Sequence, residues 1–336
     1  MTSTRSEFGG KVPRILVVDD TPDNLFLMNG LFEDRFRVQL AASGAEALRA
    51  VMADEPPDMV LLDIMMPDMD GYEVLRRIRQ HPATASVPVI FLSALASQQD
   101  ERLGRELGAV DYLTKPVDPE AVIRRVDDLV AQTALARRRE ALAEKLSPHL
   151  PPAEWRALFH GAAGAIEFDE RTVTVVYAET TLLPAWGDRA RESFCADVER
   201  LAARHGGTVD PYVWGASVIV FDDAHAAVRM AMELQRSARA LQLRLGVHTG
   251  EALLAKFRSH GAWQFTLVGA QTGRAAQIAA AADAGGIVVS PQTWDLVHDE
   301  VDVDAAGRVR SADDEALANP AAVPATQDAR AAFALR

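Results

Sequence analysis

The sequence predicts an α/β chain in two folded parts, an open parallel sheet followed by an α+β unit, joined by a long helix. Three observations carry this. Four short runs, Val17-Val18-Asp19-Asp20, Leu61-Leu62-Asp63-Ile64-Met65-Met66-Pro67, Phe91-Leu92-Ser93-Ala94 and Tyr112-Leu113-Thr114-Lys115-Pro116, each turn from apolar to polar. Residues 121–147 contain neither Gly nor Pro. From Arg171 onward, strand-like and helix-like patterns alternate. At 336 residues the chain is long enough for two proper cores, of which the first part takes little more than a third.

In the first part, a short Val-, Ile- and Leu-rich run that breaks at a polar residue reads as a strand buried on both faces, ending where the chain leaves the core. The carboxyl ends of parallel strands line one crevice, where ligands bind. Asp19, Asp20, Asp63, Ser93 and Lys115 are therefore expected to converge there. Three carboxylates packed together repel unless a cation intervenes, and an all-oxygen donor set that keeps several waters suits Mg²⁺ better than zinc. Such an ion neutralises both a carboxylate attacked at Asp63 and the phosphoryl group arriving on it, and Lys115 adds a second positive charge. Plainer readings exist for each piece. Thr21 and Pro22 mark a helix start as cap and first residue, and Pro67, Asp68, Asp70 and Gly71 form a turn-rich loop after Asp63. Four such motifs in register outweigh them.

On these motifs, residues 13–131 resemble a receiver domain of a two-component response regulator, which implies a flavodoxin-like, five-stranded parallel sheet. The resemblance implies Asp63 as phosphoacceptor, Asp20 as a direct Mg²⁺ ligand, Asp19 as a ligand through water and Met65 as a backbone-carbonyl ligand. It makes Ser93 and Tyr112 a switch pair: the Ser93 hydroxyl turns toward the phosphoryl oxygens and the Tyr112 ring moves into the vacated space. The partner it implies is a histidine kinase or phosphotransfer protein. An added charge of roughly −1.5 to −2 biases such a two-state face.

Composition narrows the output. A formal charge of −13 and a pI near 5.1 argue against a nucleic-acid surface, which depends on clustered Lys and Arg. The single cysteine, Cys195, excludes internal disulfides. No early stretch has the order of a signal peptide, and the longest apolar runs are strand-sized, so a cytoplasmic protein without membrane insertion is expected. Residues 1–12 are expected to be disordered.

Past Asp118-Pro119-Glu120, apolar positions Val122, Val126, Leu129, Thr133 and Ala136 follow a four-three spacing, with a shifted second track at Leu135, Leu142 and Leu146. That pattern predicts a helical connector over 132–170 that pairs as a coiled coil with a second copy, although Arg137-Arg138-Arg139-Glu140 interrupts both tracks. Ser147-Pro148 and Pro151-Pro152 end the helix, and Trp155, Leu158 and Phe159 begin a short apolar one.

The second part, 171–304, reads as follows. A strand over 171–178 precedes a helix over 188–204, strands over 208–213 and 217–221, and a helix over 222–241. A strand over 242–248 turns through a hairpin at Gly250 into one ending at Val268. An alanine-rich helix over 270–282 and the run Gly285-Gly286-Ile287-Val288-Val289-Ser290 close the sheet. Helices returning on one face of a largely antiparallel sheet make an α+β, ferredoxin-like layout. The tail, 305–336, is Ala- and Asp-rich and expected to be flexible.

The strings Val175-Val176-Tyr177-Ala178-Glu179, His205-Gly206-Gly207-Thr208-Val209-Asp210, Leu245-Gly246-Val247-His248-Thr249-Gly250-Glu251, Phe265-Thr266-Leu267-Val268-Gly269 and Gly285 to Ser290 together resemble a class III adenylate/guanylate cyclase homology domain. The scaffold motifs are present, but the catalytic ones have decayed. Glu179 stands at the first metal aspartate and Gly215 at the second. Pro211 stands at the base-binding lysine, Gly273 at the ribose asparagine and Gln277 at the transition-state arginine. Only Thr266 remains as a base contact. Losing one preorganised charge-stabilising donor lowers rate by about 10²- to 10³-fold, and several are missing here. Trp214 is expected to fill the metal pocket, and His248 to be scaffold. The resemblance thus implies a homodimeric pseudo-cyclase acting on an unidentified protein target. A cyclase rearranged around Arg274, Lys256, Asp222 and Asp223, and a non-catalytic nucleotide sensor, are the two other readings.

Overall fold

The computed structural model describes residues 12–94, 98–161, 166–180, 188–259, 261–299, 301, 303 and 307–309. Residues 1–11 and 310–336 lie outside them, and with them nearly all of the expected disordered start and most of the expected flexible tail. The chain divides into two compact units, 1–138 and 139–336.

In the first unit, strands β1 (Arg14–Val18), β2 (Arg37–Ala41), β3 (Met59–Asp63), β4 (Val89–Ser93) and β5 (Asp111–Thr114) form a parallel sheet in the order β2-β1-β3-β4-β5. They alternate with helices α1 (Pro22–Phe32), α2 (Gly44–Val51), α3 (Gly71–Gln80), α4 (Gln98–Glu106) and α5 (Pro119–Leu146). The central strands lose the usual two-residue polarity period because helices cover both faces. Val18, Leu62 and Phe91 face α2 and α3, whereas Val17, Leu61 and Leu92 face α1 and the first half of α5. Ser43 and Asp70 cap α2 and α3 by accepting from the backbone N–H groups of Glu46 and Glu73. Thr21 takes the cap position of α1, with Pro22 behind it, but its side chain makes no capping bond.

The second unit holds α6 (Pro152–His160), β6 (Ile166–Glu179), α7 (Asp188–Arg204), β7 (Thr208–Asp210), β8 (Ser217–Phe221), α8 (Ala224–Ser237), β9 (Arg244–Ser259), β10 (Ala262–Val268), α9 (Gln271–Ala280), β11 (Ile287–Val289) and α10 (Pro291–Val297). The sheet runs β10-β9-β6-β8-β7 antiparallel, with β11 added parallel to the start of β9. Gly307 and Val309 bond to Val289 and Ile287 through their backbones, so the chain is still in the sheet beyond Asp304.

Three features depart from the sequence pattern. No hairpin forms at Gly250: β9 runs straight through it, Gly250 pairs with Val173, and the turn comes after Ser259. The glycines serve packing instead. A Cβ on Gly246 would lie 2.3 Å from the Ala275 carbonyl oxygen and 2.4 Å from the Ala279 nitrogen, so α9 lies directly on the strand. This also corrects the one-faced helix layer: Val176, Ile219 and Val247 face α7 and α8, whereas Val175, Val218 and Ala275 of α9 form a core on the other face.

The third concerns α5. Val122, Val126 and Leu129 belong to the first unit's core, and Leu142 and Leu146 are fully buried in the second unit's core with Ala255, Phe257 and Val268. The ends of both apolar tracks are thus used within the chain, and only about three turns around the exposed Leu135 remain. A coiled-coil seam requires about three heptads. Among the described residues, no helix is long and apolar enough to cross a membrane.

Candidate functional site

At the carboxyl edge of the first sheet the strand ends bring together the residues that the sequence separates. Carboxylate oxygens of Asp19, Asp20 and Asp63 all lie within 4.8 Å of one another. Asp19 and Asp63 are buried and Asp20 is exposed. The Lys115 ammonium donates to Asp19 Oδ2 at 2.6 Å and Asp63 Oδ1 at 2.7 Å. Its backbone N–H donates to the Ser93 carbonyl at 2.7 Å, fixing the base of the side chain. Asp19 is further held by the Thr21 N–H at 2.9 Å and by the Asn24 amide at 3.0 Å. Asn24, one turn into α1, was not singled out by sequence; its signal is the short spacing from Asp20.

Burial raises the Asp63 pKa above the ordinary carboxylate value; Lys115 pulls the other way, and Asp19 and Asp20 add to the rise. Burial alone would lower the Lys115 pKa, but its bonds to Asp19 and Asp63 hold it above the usual lysine range. One ammonium against three carboxylates leaves the cluster short of positive charge, and every available donor is oxygen. The residues therefore fit a hard divalent cation. Ser93 is fully buried, and its hydroxyl is hydrogen-bonded to that of Tyr112. The Met65 side chain is exposed.

The other predicted positions lie in the second unit. Gly215 has a positive φ of 77° and open space where a Cβ would stand, and Pro211, Gly273 and Gln277 are exposed. Glu179 is half-buried at the end of β6. Thr266 is fully buried and donates its hydroxyl to Asp210 at 2.9 Å, so it is occupied within the chain. Trp214 does not fill a pocket: its indole is 75% exposed and stacks on His149, centroids 5.1 Å apart. The sequence reading missed Asp210. Its buried carboxylate also accepts from the N–H groups of Leu267 and Tyr212, each at 3.0 Å, and from the Lys145 ammonium at 2.8 Å. His248 is buried, with Nε2 bonded to Gln271 Oε1.

Comparison with known proteins accords with both halves. Residues 15–127 match the response regulator receiver domain family. A Pseudomonas aeruginosa relative, protein PilH, is 34% identical over 119 residues, which cover 98% of it and 35% of this chain. The chain belongs to the response regulators. This response regulator also matches the adenylate and guanylate cyclase catalytic domain family over 215–313, a span containing Gly215, Thr266, Gly273 and Gln277. It is 48% identical over 112 residues to a probable cyclic di-GMP phosphodiesterase of Vibrio cholerae, covering 33% of this chain and 25% of that one. To response regulator PleD of Caulobacter vibrioides it is 33% identical over 234 residues, covering 68% of this chain and 49% of PleD. It thus spans a quarter to a half of the length of these two relatives.

Proposed function

We propose that this response regulator receives a phosphoryl group on Asp63 from a histidine kinase or phosphotransfer protein in the cytoplasm and answers through a catalytically silent cyclase-like unit that binds another protein. The observation that carries the first half is the Lys115 ammonium bridging Asp19 and Asp63 inside a cluster of three carboxylates. An Asp63 oxygen attacks the donor's phosphorus, the bond to the donor's nitrogen breaks, and that nitrogen keeps the electron pair. Lys115 stands where negative charge gathers on the transferred oxygens. Asp19, Asp20, Asp63 and the Met65 carbonyl would hold Mg²⁺, which when bound supplies further charge neutralisation for the transfer. Asn24 and Thr21 keep Asp19 oriented, which preserves the cluster before the donor arrives. Ser93 and Tyr112, already bonded to each other, serve as the switch pair.

Asp63→Asn is the test of the acceptor. Acetyl phosphate should label the parent protein and leave the variant unlabelled; a variant that still takes label sinks the assignment. For the second unit, Gly215 offers no ligand atom, and Gly273 and Gln277 offer no charge. This supports the pseudo-cyclase reading, as does the internal use of Thr266. Beryllofluoride-treated protein incubated with ATP or GTP and Mg²⁺ or Mn²⁺ should form no cyclic nucleotide. Measurable product would favour the rearranged cyclase instead. The homodimer, in this reading, pairs through the second unit, since the free part of α5 is short.

A further inference from the structure

Beside the acid cluster, two tyrosine rings pack against one phenylalanine ring. The fully buried Phe91 ring on β4 meets Tyr72 from α3 edge-on, centroids 5.2 Å apart at 67°. It meets Tyr112 from β5 in the same way, at 6.4 Å and 66°. All three belong to one core cluster. Helix α4 presses on them, for a Cβ on Gly104 would lie 3.0 Å from the Phe91 ring and 3.6 Å from the Tyr112 ring. Tyr72 follows Gly71, where a Cβ would lie 2.4 Å from the Asp63 carbonyl oxygen, so the start of α3 is seated on the backbone of the acceptor itself.

The two phenols differ in one respect. The Tyr112 hydroxyl is bonded to Ser93, whereas the Tyr72 hydroxyl is buried and has no partner among the described residues. Burial and then the neighbouring Tyr112 push the Tyr72 phenol up to about 12, so it keeps its proton and can both donate and accept. A buried hydroxyl without a partner is unfavourable, and native structures rarely leave one.

We propose that Tyr72 is a positioning residue for the switch: its hydroxyl receives that of Tyr112 when Ser93 turns to the phosphoryl group. This rests on the Ser93–Tyr112 reading above and extends it. In the resting arrangement Ser93 satisfies Tyr112 and Tyr72 goes without. After the exchange Ser93 is satisfied by the phosphoryl oxygens and the two phenols by each other. Phe91 packs edge-on against both rings, and Tyr112 lies near enough to Tyr72 to raise its pKa.

The test uses the full chain labelled with 3-fluorotyrosine. There are four tyrosines, so ¹⁹F resonances can be assigned by single Tyr→Phe changes. On addition of Mg²⁺ and beryllofluoride, the Tyr112 signal should move, and the Tyr72 signal should move with it. In Tyr72→Phe, which keeps the ring against Phe91, the inward Tyr112 population should fall about five-fold, the worth of one neutral hydrogen bond. In Tyr112→Phe the Tyr72 signal should stay put, a result that ring packing alone does not require. If Tyr112 moves equally in the parent and in Tyr72→Phe, the Tyr72 assignment is overturned and the switch pair stands. If Tyr112 does not move in the parent, the switch pair itself fails and Tyr72 with it.

Discussion

Replacing Lys145 with methionine should weaken the second unit by about 3 kcal/mol. The methionine stem retains the packing of the lysine chain, while the ammonium's bonds to Asp210 Oδ2 and the Leu267 carbonyl are lost. Asp210 has no exposed side-chain surface, whereas Lys145 is 20% exposed. Removing one partner of a buried pair costs about 3–5 kcal/mol, because a charge is left without compensation. Asp210 keeps the Thr266 hydroxyl and two backbone N–H donors, which places the loss at the lower end of that range. All five tryptophans fall within residues 139–336, so tryptophan emission during urea unfolding of the full chain reports on this unit alone. With a urea slope of about 1–3 kcal/mol per molar, the midpoint should drop by about 1–3 M. A second change, Asp210→Asn, should cost less in the Lys145→Met background than in the parent, by about 1 kcal/mol or more. A midpoint shift below about 0.3 M would refute the reasoning, since that is the behaviour of a solvent-screened surface pair.

Two glycines, one under α9 and one on its exposed face, should respond in opposite directions. Gly246→Ala drives a Cβ into α9 backbone and should destabilise by about 1–3 kcal/mol, whereas Gly273→Ala, an exposed site within α9 with nothing within 4 Å, should stabilise by up to about 1 kcal/mol. The same urea assay reads both. Burial, aided by Arg274 and opposed by Gln271, lowers the His248 pKa below its ordinary 6.5. Near and below that value the unfolded chain binds the proton that the folded one refuses, so stability is present above pH 6.5 and falls as pH drops through it. His248→Gln should flatten the pH 7 to 5.5 slope of the tryptophan-detected midpoint; the remainder should follow His149, also lowered by burial and by Lys145.

The acid cluster was legible because its strands are buried on both faces: a run of apolar residues can end only where the chain leaves the core, and in a parallel sheet all such ends meet. Asn24 escaped because one polar residue in a helix's first turn looks like solvent-facing surface. In the second unit, glycine misled. At Gly250 a strand glycine suggests a turn, yet Gly246 and Gly250 clear the way for α9, a contact with no local trace. Lys145 and Asp210 are 65 residues apart, each ordinary in its own window, and only the fold shows that the lysine ends in a buried carboxylate. Leu142 and Leu146 had the spacing of a dimer seam, but periodicity gives the apolar face of a helix without naming its partner.

In the proposed reading, the Ser93–Tyr112 pair is too weak to run the response by itself. Moving a two-state equilibrium from mostly off to mostly on takes about 5.5 kcal/mol of differential stabilisation. Exchanging the Tyr112 bond from Ser93 to another hydroxyl contributes on the order of 1 kcal/mol. The larger share has to come from charge. A phosphoryl group brings roughly −1.5 to −2 into a site where one ammonium already faces three carboxylates. Lys115 is the only described cation bonded to that cluster, and its backbone N–H is tied to the Ser93 carbonyl. Any pull on its ammonium is therefore felt at the end of β4, two residues beyond Phe91. On the proposed reading, charge, hydroxyl exchange and ring movement would thus act on one strand end, which is how a group on Asp63 would bias a face built from α4 and β5.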